Sequence, residues 1–177
     1  MDIELKFLDL LQKIHHPILD SIMVFITRLG DMGMIWILLA IILFLFPKTR
    51  KVGVILVIAL CINIILCNGL LKHIIARVRP CDINTSISLL ITRPTDFSFP
   101  SGHTSASFTT VMVLYLVHEK KLWKTSLIVA CLIAFSRMYL YVHYPSDIIG
   151  GIIIGSLCGY TGYNISNIVF KNSKFKK

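Results

Sequence analysis

V-G-V-I-L-V-I-A-L-C-I-N-I-I-L-C-N-G-L-L-K-H-I-I, residues 52 to 75, is the stretch that decides the fold. From Val52 to Leu71 it holds no Asp, Glu, Lys or Arg. An uncharged apolar run of roughly 20 residues matches the hydrocarbon thickness of a bilayer, and reads as a full membrane-spanning helix. The whole chain agrees with it. Its 177 residues are 55% hydrophobic and 15% charged, with a mean hydropathy of +0.77, far from a soluble average. The length corresponds to one domain, residues 1–177. The net charge of +9 lies mostly in short clusters between apolar runs, as topology determinants do, and not on a basic face interleaved with aromatics. Nucleic acid is therefore excluded as a partner, and the lipid bilayer takes its place.

On the N-terminal side, residues 1–16 alternate charge with Leu, Ile and Phe and carry no small-residue cleavage site, unlike a signal peptide. Ile3, Phe7, Leu10 and Leu11 fall at helical spacing, which predicts an amphipathic helix on the membrane surface or a first helix of the bundle. His15-His16-Pro17 ends it; adjacent histidines on a helix point apart, so an interfacial loop is expected there and not a metal site. Pro17 to Leu29 and Met34 to Phe46 are each too short for a full span and are separated by Gly30-Asp31 and Gly33. They read as two short helices or as a re-entrant pair. On the C-terminal side follow a polar loop from Cys81 to Phe99, a helix from Pro100 to Val117 and a basic loop from His118 to Lys124. A span from Thr125 to Val142 and a last span from Pro145 to about Phe170 complete the chain. The expected fold is all-α: an integral membrane helical bundle of about five to six transmembrane helices, with residues 52–170 as its core.

Charge orients the bundle. Lys48, Arg50, Lys51, Lys120, Lys121, Lys124, Lys171, Lys174, Lys176 and Lys177 share one face, with Lys6 and Lys13 if the first segment spans. By the positive-inside rule that face is cytoplasmic, in a multi-pass protein of the plasma membrane. Lys72, Arg79, His103, Arg137, His143 and Asp147 fall on the opposite, extracytoplasmic face. The five cysteines lie mainly inside apolar runs and show neither metal-ligand nor disulfide spacing.

Three motifs converge on that face. Lys72 and Arg79, seven residues apart, would lie within about 20° and roughly 10 Å on a continuous helix, which suits a phosphorylated ligand; Pro80 stops the helix. Arg77 is rotated away from them and reads as a snorkelling side chain. Pro100-Ser101-Gly102-His103 has the composition of a helix start, where free N–H groups form an anion site. His103 there can protonate a leaving oxygen. In S-R-M-Y-L-Y-V-H-Y-P-S-D, Ser136 to Asp147, a cation, an imidazole and a carboxylate flank membrane spans. Such groups are expensive to keep there, so a functional site is the default expectation. Asp147 can fix the tautomer of His143 and leave one ring nitrogen as a nucleophile, and Arg137 offers bidentate phosphate recognition. Taken one at a time, each motif also has a structural explanation, in snorkelling, helix capping or an Asp-His pair pinning two helices.

K-x6-R-P, P-S-G-H and S-R-x5-H-x3-D together resemble the three signature motifs of the type 2 phosphatidate phosphatase superfamily. That group includes membrane lipid phosphatases, bacterial polyprenyl-diphosphate phosphatases and soluble vanadium haloperoxidases. The resemblance implies a metal-independent lipid phosphatase without a cofactor. His143 would attack phosphorus and form a phosphohistidine, with Asp147 orienting it, and His103 would protonate the leaving group. Lys72, Arg79, Ser101, the Gly102 amide, Ser136 and Arg137 would hold the phosphoryl oxygens. The implied substrate is a membrane lipid phosphate: a polyprenyl diphosphate such as undecaprenyl diphosphate, phosphatidic acid or phosphatidylglycerophosphate. A non-catalytic lipid-phosphate binding or transport protein is the alternative. Gly151, Gly155 and Gly159 form overlapping G-x-x-x-G motifs that admit a close neighbour. A helix of the same bundle is expected there, while a second copy of the chain, as a homodimer, is the other candidate.

Overall fold

The computed structural model describes residues 2–172; Lys174, Lys176 and Lys177 of the expected basic tail lie outside them. No strand occurs among the described residues. The helices are α1 (Asp2–Gln12), α2 (Pro17–Leu29), α3 (Met34–Leu45), α4 (Arg50–Asn63), α5 (Lys72–Ile75), α6 (Pro80–Ile83), α7 (Gly102–Leu116), α8 (Lys120–Tyr139) and α9 (Pro145–Asn172). A 3-10 turn, Asp31–Gly33, joins α2 to α3, and a π-helical segment, Ile64–Leu71, joins α4 to α5.

Three helical runs are long and apolar enough to cross a membrane: Arg50–Ile83, Lys120–Tyr139 and Pro145–Lys171. The pair α2 and α3, bent by 44°, makes a fourth if it counts as one span. The neighbours of that pair give it one continuous path. Asp20, Thr27 and Gly30 meet Tyr139, Arg137 and Ile133 of α8 in turn, so α2 runs antiparallel to α8. Past the turn, Trp36 packs with Leu60, and Ala40 and Phe44 approach Gly53 of α4. The basic end is shared as expected: Lys51 lies over the Phe170 ring, and Val52, Val117, Leu122 and Phe170 pack on one apolar cluster.

α7 is the central helix. A side chain on Gly155 would fall on the backbone of Ser105, and one on Gly159 would meet the Thr109 carbonyl oxygen at 2.7 Å. The small-residue stripe of α9 therefore takes α7 of its own bundle, and Thr109 Oγ1 donates to the Gly155 carbonyl at 3.1 Å. Buried polar side chains on α7 are matched across the bundle. Asn63 donates to Ser105, and Trp36 Nε1 donates to Ser107 Oγ at 2.9 Å.

α1 does not span. It lies across the site end of the bundle, with Leu8 buried against Tyr139, Tyr141 and Tyr144 while Ile3, Phe7 and Leu10 stay exposed. Gln12 donates to the Tyr139 carbonyl at 3.0 Å, and Asp9 accepts from the Tyr141 hydroxyl at 2.7 Å. Lys6 and Lys13 therefore do not count toward the basic end. Both boundaries of α8 also move: it starts at Lys120, inside the expected basic loop, and stops at Tyr139 and not at Val142. Tyr141, at φ 60, turns the chain left-handed, and Val142 N–H closes back on the Arg137 carbonyl at 3.2 Å. That turn frees Leu140 to Tyr144 as the connection that carries His143.

Candidate active site

The three motifs meet at one end of the bundle around a cavity of about 730 Å³. Lys72, Arg79, Gly102, His103, Arg137 and His143 line it. Local backbone events put them there. The π-helical segment ends at Leu71, and α5, which Lys72 opens, lasts one turn before Ala76, at φ 45, breaks it. π segments are rare and tend to sit at functional sites. The continuous helix expected from Lys72 to Arg79 is thus absent, and Arg79 stands in extended backbone before Pro80. The two cations converge through a carboxylate instead. Asp96, from the loop before α7, pairs with Lys72 and also accepts from Arg79 Nη2 at 2.6 Å. Burial alone would raise the Asp96 carboxyl; the hydrogen bond and charge of Lys72, and then Arg79, outweigh it and bring it down to about 2.

His143 is fully enclosed in the connection between α8 and α9. Its Nδ1 lies 3.4 Å from Asp147 Oδ2, and its Nε2 lies 3.2 Å from Arg79 Nη1. A proton on Nδ1 satisfies both contacts: Nδ1 donates to Asp147, and the unprotonated Nε2 accepts from Arg79 at the cavity wall. Burial, followed by the cations Arg79, Arg137 and Lys72, holds the imidazole well below its ordinary value of 6.5. Such a neutral ring is what a nucleophile needs. Asp147 stands behind it, off the cavity wall. It accepts from the Tyr144 N–H at 2.9 Å, from Ser98 Oγ and from Arg77 Nη1 at 2.6 Å. The Asp147 carbonyl also receives the Ser101 N–H at 3.2 Å, which ties the first turn of α9 to the start of α7.

Arg77 is the correction here. It does not snorkel: it bridges Asp147 and Glu4 Oε2, the latter at 2.7 Å, and lies 3.9 Å above the Tyr144 ring. His103 has an unanticipated partner as well, since its Nε2 is 3.0 Å from Asp31 Oδ1 in the break between α2 and α3. Glu4, Asp31 and Asp96 are the acidic residues that sequence reasoning passed over. Asp31 had a signal, standing in a glycine-flanked break between two apolar segments.

Two expected phosphate ligands are turned elsewhere. Ser136 Oγ is buried and donates to the Ile133 carbonyl of its own helix at 2.7 Å. It precedes Arg137 by one position, and consecutive helical side chains point about 100° apart. Ser101 caps α7, its hydroxyl accepting from the Thr104 N–H at 3.4 Å. Arg137 itself is 4% exposed, donates to Thr27 Oγ1 at 2.6 Å and leaves its Nε without a partner. Among the described residues no carboxylate pairs with it. A buried guanidinium without a carboxylate partner, facing a cavity beside two further buried cations, has the chemistry to accept an anion.

The chain is 36% identical over 149 residues to an undecaprenyl-diphosphatase of Sulfolobus acidocaldarius, covering 84% of this chain and 71% of that protein. It is 31% identical over 180 residues to a lipid A 4'-phosphatase of Bacteroides thetaiotaomicron, covering 94% of this chain and 78% of the relative. Among solved structures it is similar to a transmembrane PAP2 type phosphatidylglycerolphosphate phosphatase from Bacillus subtilis. That match has a TM-score of 0.77 and 26% identity, over 99% of this chain and 88% of the other. These three are named as phosphatases of different lipids. With the PAP2 superfamily model matching residues 48–171, the three motifs and their meeting point have one explanation: the chain belongs to the PAP2 superfamily.

Proposed function

We propose that this protein hydrolyses the phosphate or diphosphate headgroup of a membrane lipid through a phosphohistidine, without a metal ion. The observation that carries the reading is the set of three buried cations, Lys72, Arg79 and Arg137, lining one cavity with a neutral His143 whose Nε2 meets Arg79. Phosphoryl transfer asks a protein mainly for positioning and for stabilisation of charge spread over the equatorial oxygens. Two guanidinium groups, an ammonium and the Gly102 amide at the start of α7 supply both from the protein alone.

In the first step His143 Nε2 forms the N–P bond as the bond from phosphorus to the leaving oxygen breaks. His103, held by Asp31, delivers a proton to that oxygen. In the second step a water gives a proton back to His103 and forms a bond to phosphorus as the N–P bond breaks, returning its electron pair to His143 Nε2 and releasing inorganic phosphate. Asp147 holds the His143 Nδ1 proton throughout and balances the positive charge of the phosphorylated ring. Ser101 and Ser136 act in this scheme as supports for the Gly102 turn and for Arg137.

The bent pair of α2 and α3 together with α4, α7, α8 and α9 makes five crossings, with α7, 15 residues long, in the middle of the bundle. With the basic end cytoplasmic, the site opens on the extracytoplasmic side of the plasma membrane. The substrate keeps its chains in the bilayer and its phosphate at the outer interface. Polyprenyl diphosphate is the favoured class, with phosphatidic acid and phosphatidylglycerophosphate as the other candidates. Phosphate release by the purified protein in detergent with EDTA, across a panel of lipid mono- and diphosphates, tests the reading. Activity should persist in EDTA and disappear in His143→Asn; full dependence on an added divalent metal, or retained turnover in that variant, would overturn the mechanism.

A further inference from the structure

The phosphate-binding cations are already occupied. Asp96 pairs through Oδ2 with Lys72 and through Oδ1 with Arg79. The Arg79 guanidinium is bonded all round. Nε donates to the Asp96 carbonyl at 2.7 Å, Nη2 to Asp96 Oδ1 and to the Phe97 carbonyl, and Nη1 to the Val142 carbonyl at 2.7 Å while facing His143 Nε2. A guanidinium has five N–H donors. A phosphoryl oxygen can therefore bond Arg79 only by displacing one of these acceptors, and before His143 attacks, the side chain of Asp96 is the one on an exposed loop. Mobility is unequal between the partners. Lys72 and Arg79 are almost fully buried, whereas the Asp96 side chain is 54% exposed on a loop, so Asp96 is the partner that can leave.

We propose that Asp96 is a built-in competitor for the phosphate site: an internal anion that every ligand must displace, which keeps occupancy by the singly charged phosphodiester headgroups of bulk lipids low. The proposal rests on the lipid phosphatase reading above. Its logic is that of a threshold. Competition from a tethered carboxylate weakens all anionic ligands by the same factor, so it matters most for those that bind weakly. A phosphodiester brings one negative charge to a pocket that Asp96 already neutralises in part. A terminal phosphate carries about −1.5 to −2 at neutral pH and three strong acceptor oxygens, so it can outcompete a carboxylate for several donors at once. A membrane surrounds the protein with phosphodiesters in large excess over any lipid phosphate, so a threshold of this kind keeps weakly bound headgroups from holding the site. The return of Asp96 to Lys72 and Arg79 after hydrolysis also helps to expel inorganic phosphate.

The test compares the full-length protein with Asp96→Asn, in which the carboxylate is replaced by a neutral group of the same shape. Binding of inorganic phosphate and of glycerophosphoglycerol, a soluble phosphodiester, is measured by calorimetry in detergent. Both should tighten about three- to tenfold in the variant, the range expected for losing two partly exposed ion pairs. In mixed micelles with excess phosphatidylglycerol, turnover of a lipid phosphate should resist inhibition in the wild type and become inhibited in the variant. Asp96→Ser should reproduce the tightening, which guards against a folding defect peculiar to one variant, and Asp96→Glu should reverse it. Unchanged or weaker phosphate binding in both neutral variants would overturn the proposal. The binding measurement needs no turnover. If binding tightened in a protein that hydrolysed no lipid phosphate, the phosphatase reading would fail and Asp96 would stand as an internal competitor.

Discussion

Arg77 Nη1 lies 2.6 Å from Asp147 Oδ1, and the same guanidinium reaches Glu4 of α1 at 2.7 Å. A line of contacts thus runs from the helix across the site end of the bundle, through Arg77 and Asp147, to the imidazole of His143. Asp147 is fully buried, and Arg77 is the cation that balances it.

Arg77→Ala should therefore reduce kcat about 10- to 100-fold, the usual cost of losing a group that orients a reacting residue through its neighbour. Leaving a buried carboxylate without its cation should also lower stability by roughly 3–5 kcal/mol. Arg77→Lys should recover part of both losses, and Glu4→Gln should cost less than either. Steady-state kinetics and thermal unfolding of the same detergent preparations check this; a simple snorkelling role would leave both readouts near wild type.

Asp31 touches His103 and no other motif residue. Asp31→Asn should lower kcat about 100-fold, on the scale of a general acid-base contribution, with a much smaller change in KM. Equal losses in kcat and in substrate affinity would assign Asp31 to binding instead.

Two of the folded-state shifts make separable contributions to the dependence of stability on pH. His143 is depressed below 6.5, so the folded protein refuses a proton that the unfolded chain accepts. Its contribution is fully present above pH 6.5 and is lost as pH falls from there toward the folded value. Asp96 is depressed from 3.8 to about 2, so its contribution is complete above about pH 4 and disappears as pH falls through about 2. His143→Gln should flatten the first decline and Asp96→Asn the second, in thermal unfolding measured against pH. Because Asp96 is half exposed, solvent screening keeps the second decline the smaller.

Gly155 has no room for a side chain against the Ser105 backbone. Gly155→Ala should destabilise the bundle by about 1–3 kcal/mol through forced separation of α7 and α9, and Gly155→Leu should prevent recovery of a monodisperse protein. Gly69 faces an open neighbourhood, its nearest contact being 3.8 Å away, and Gly69→Ala serves as the tolerant control. Unfolding temperature and gel filtration in detergent check both.

The long apolar runs, their basic ends and the three motifs were legible in the sequence because each is a local property. A bilayer demands length and hydropathy along the chain, and a signature motif is a fixed spacing of chemical types. Gly151, Gly155 and Gly159 were legible for the same reason, as a face repeated every turn. The partners of the motif residues were not. Glu4, Asp31 and Asp96 come from α1, from the break before α3 and from the loop before α7, and no spacing relates them to Arg77, His103 and Lys72. The breaks that aim the motif residues were also hidden. A helical register carried from Lys72 to Arg79 through Ala76 and Arg77 misplaces both arginines, because the chain leaves the helix at a left-handed Ala76. Ser136 shows the converse, a motif residue whose helical position turns it into the bundle, beside an Arg137 that faces the cavity. The amino-acid order thus determined which groups exist at the site and which end of the bundle carries them. Tertiary packing decided which carboxylate neutralises which cation, because buried charges must find partners wherever the fold brings them within reach.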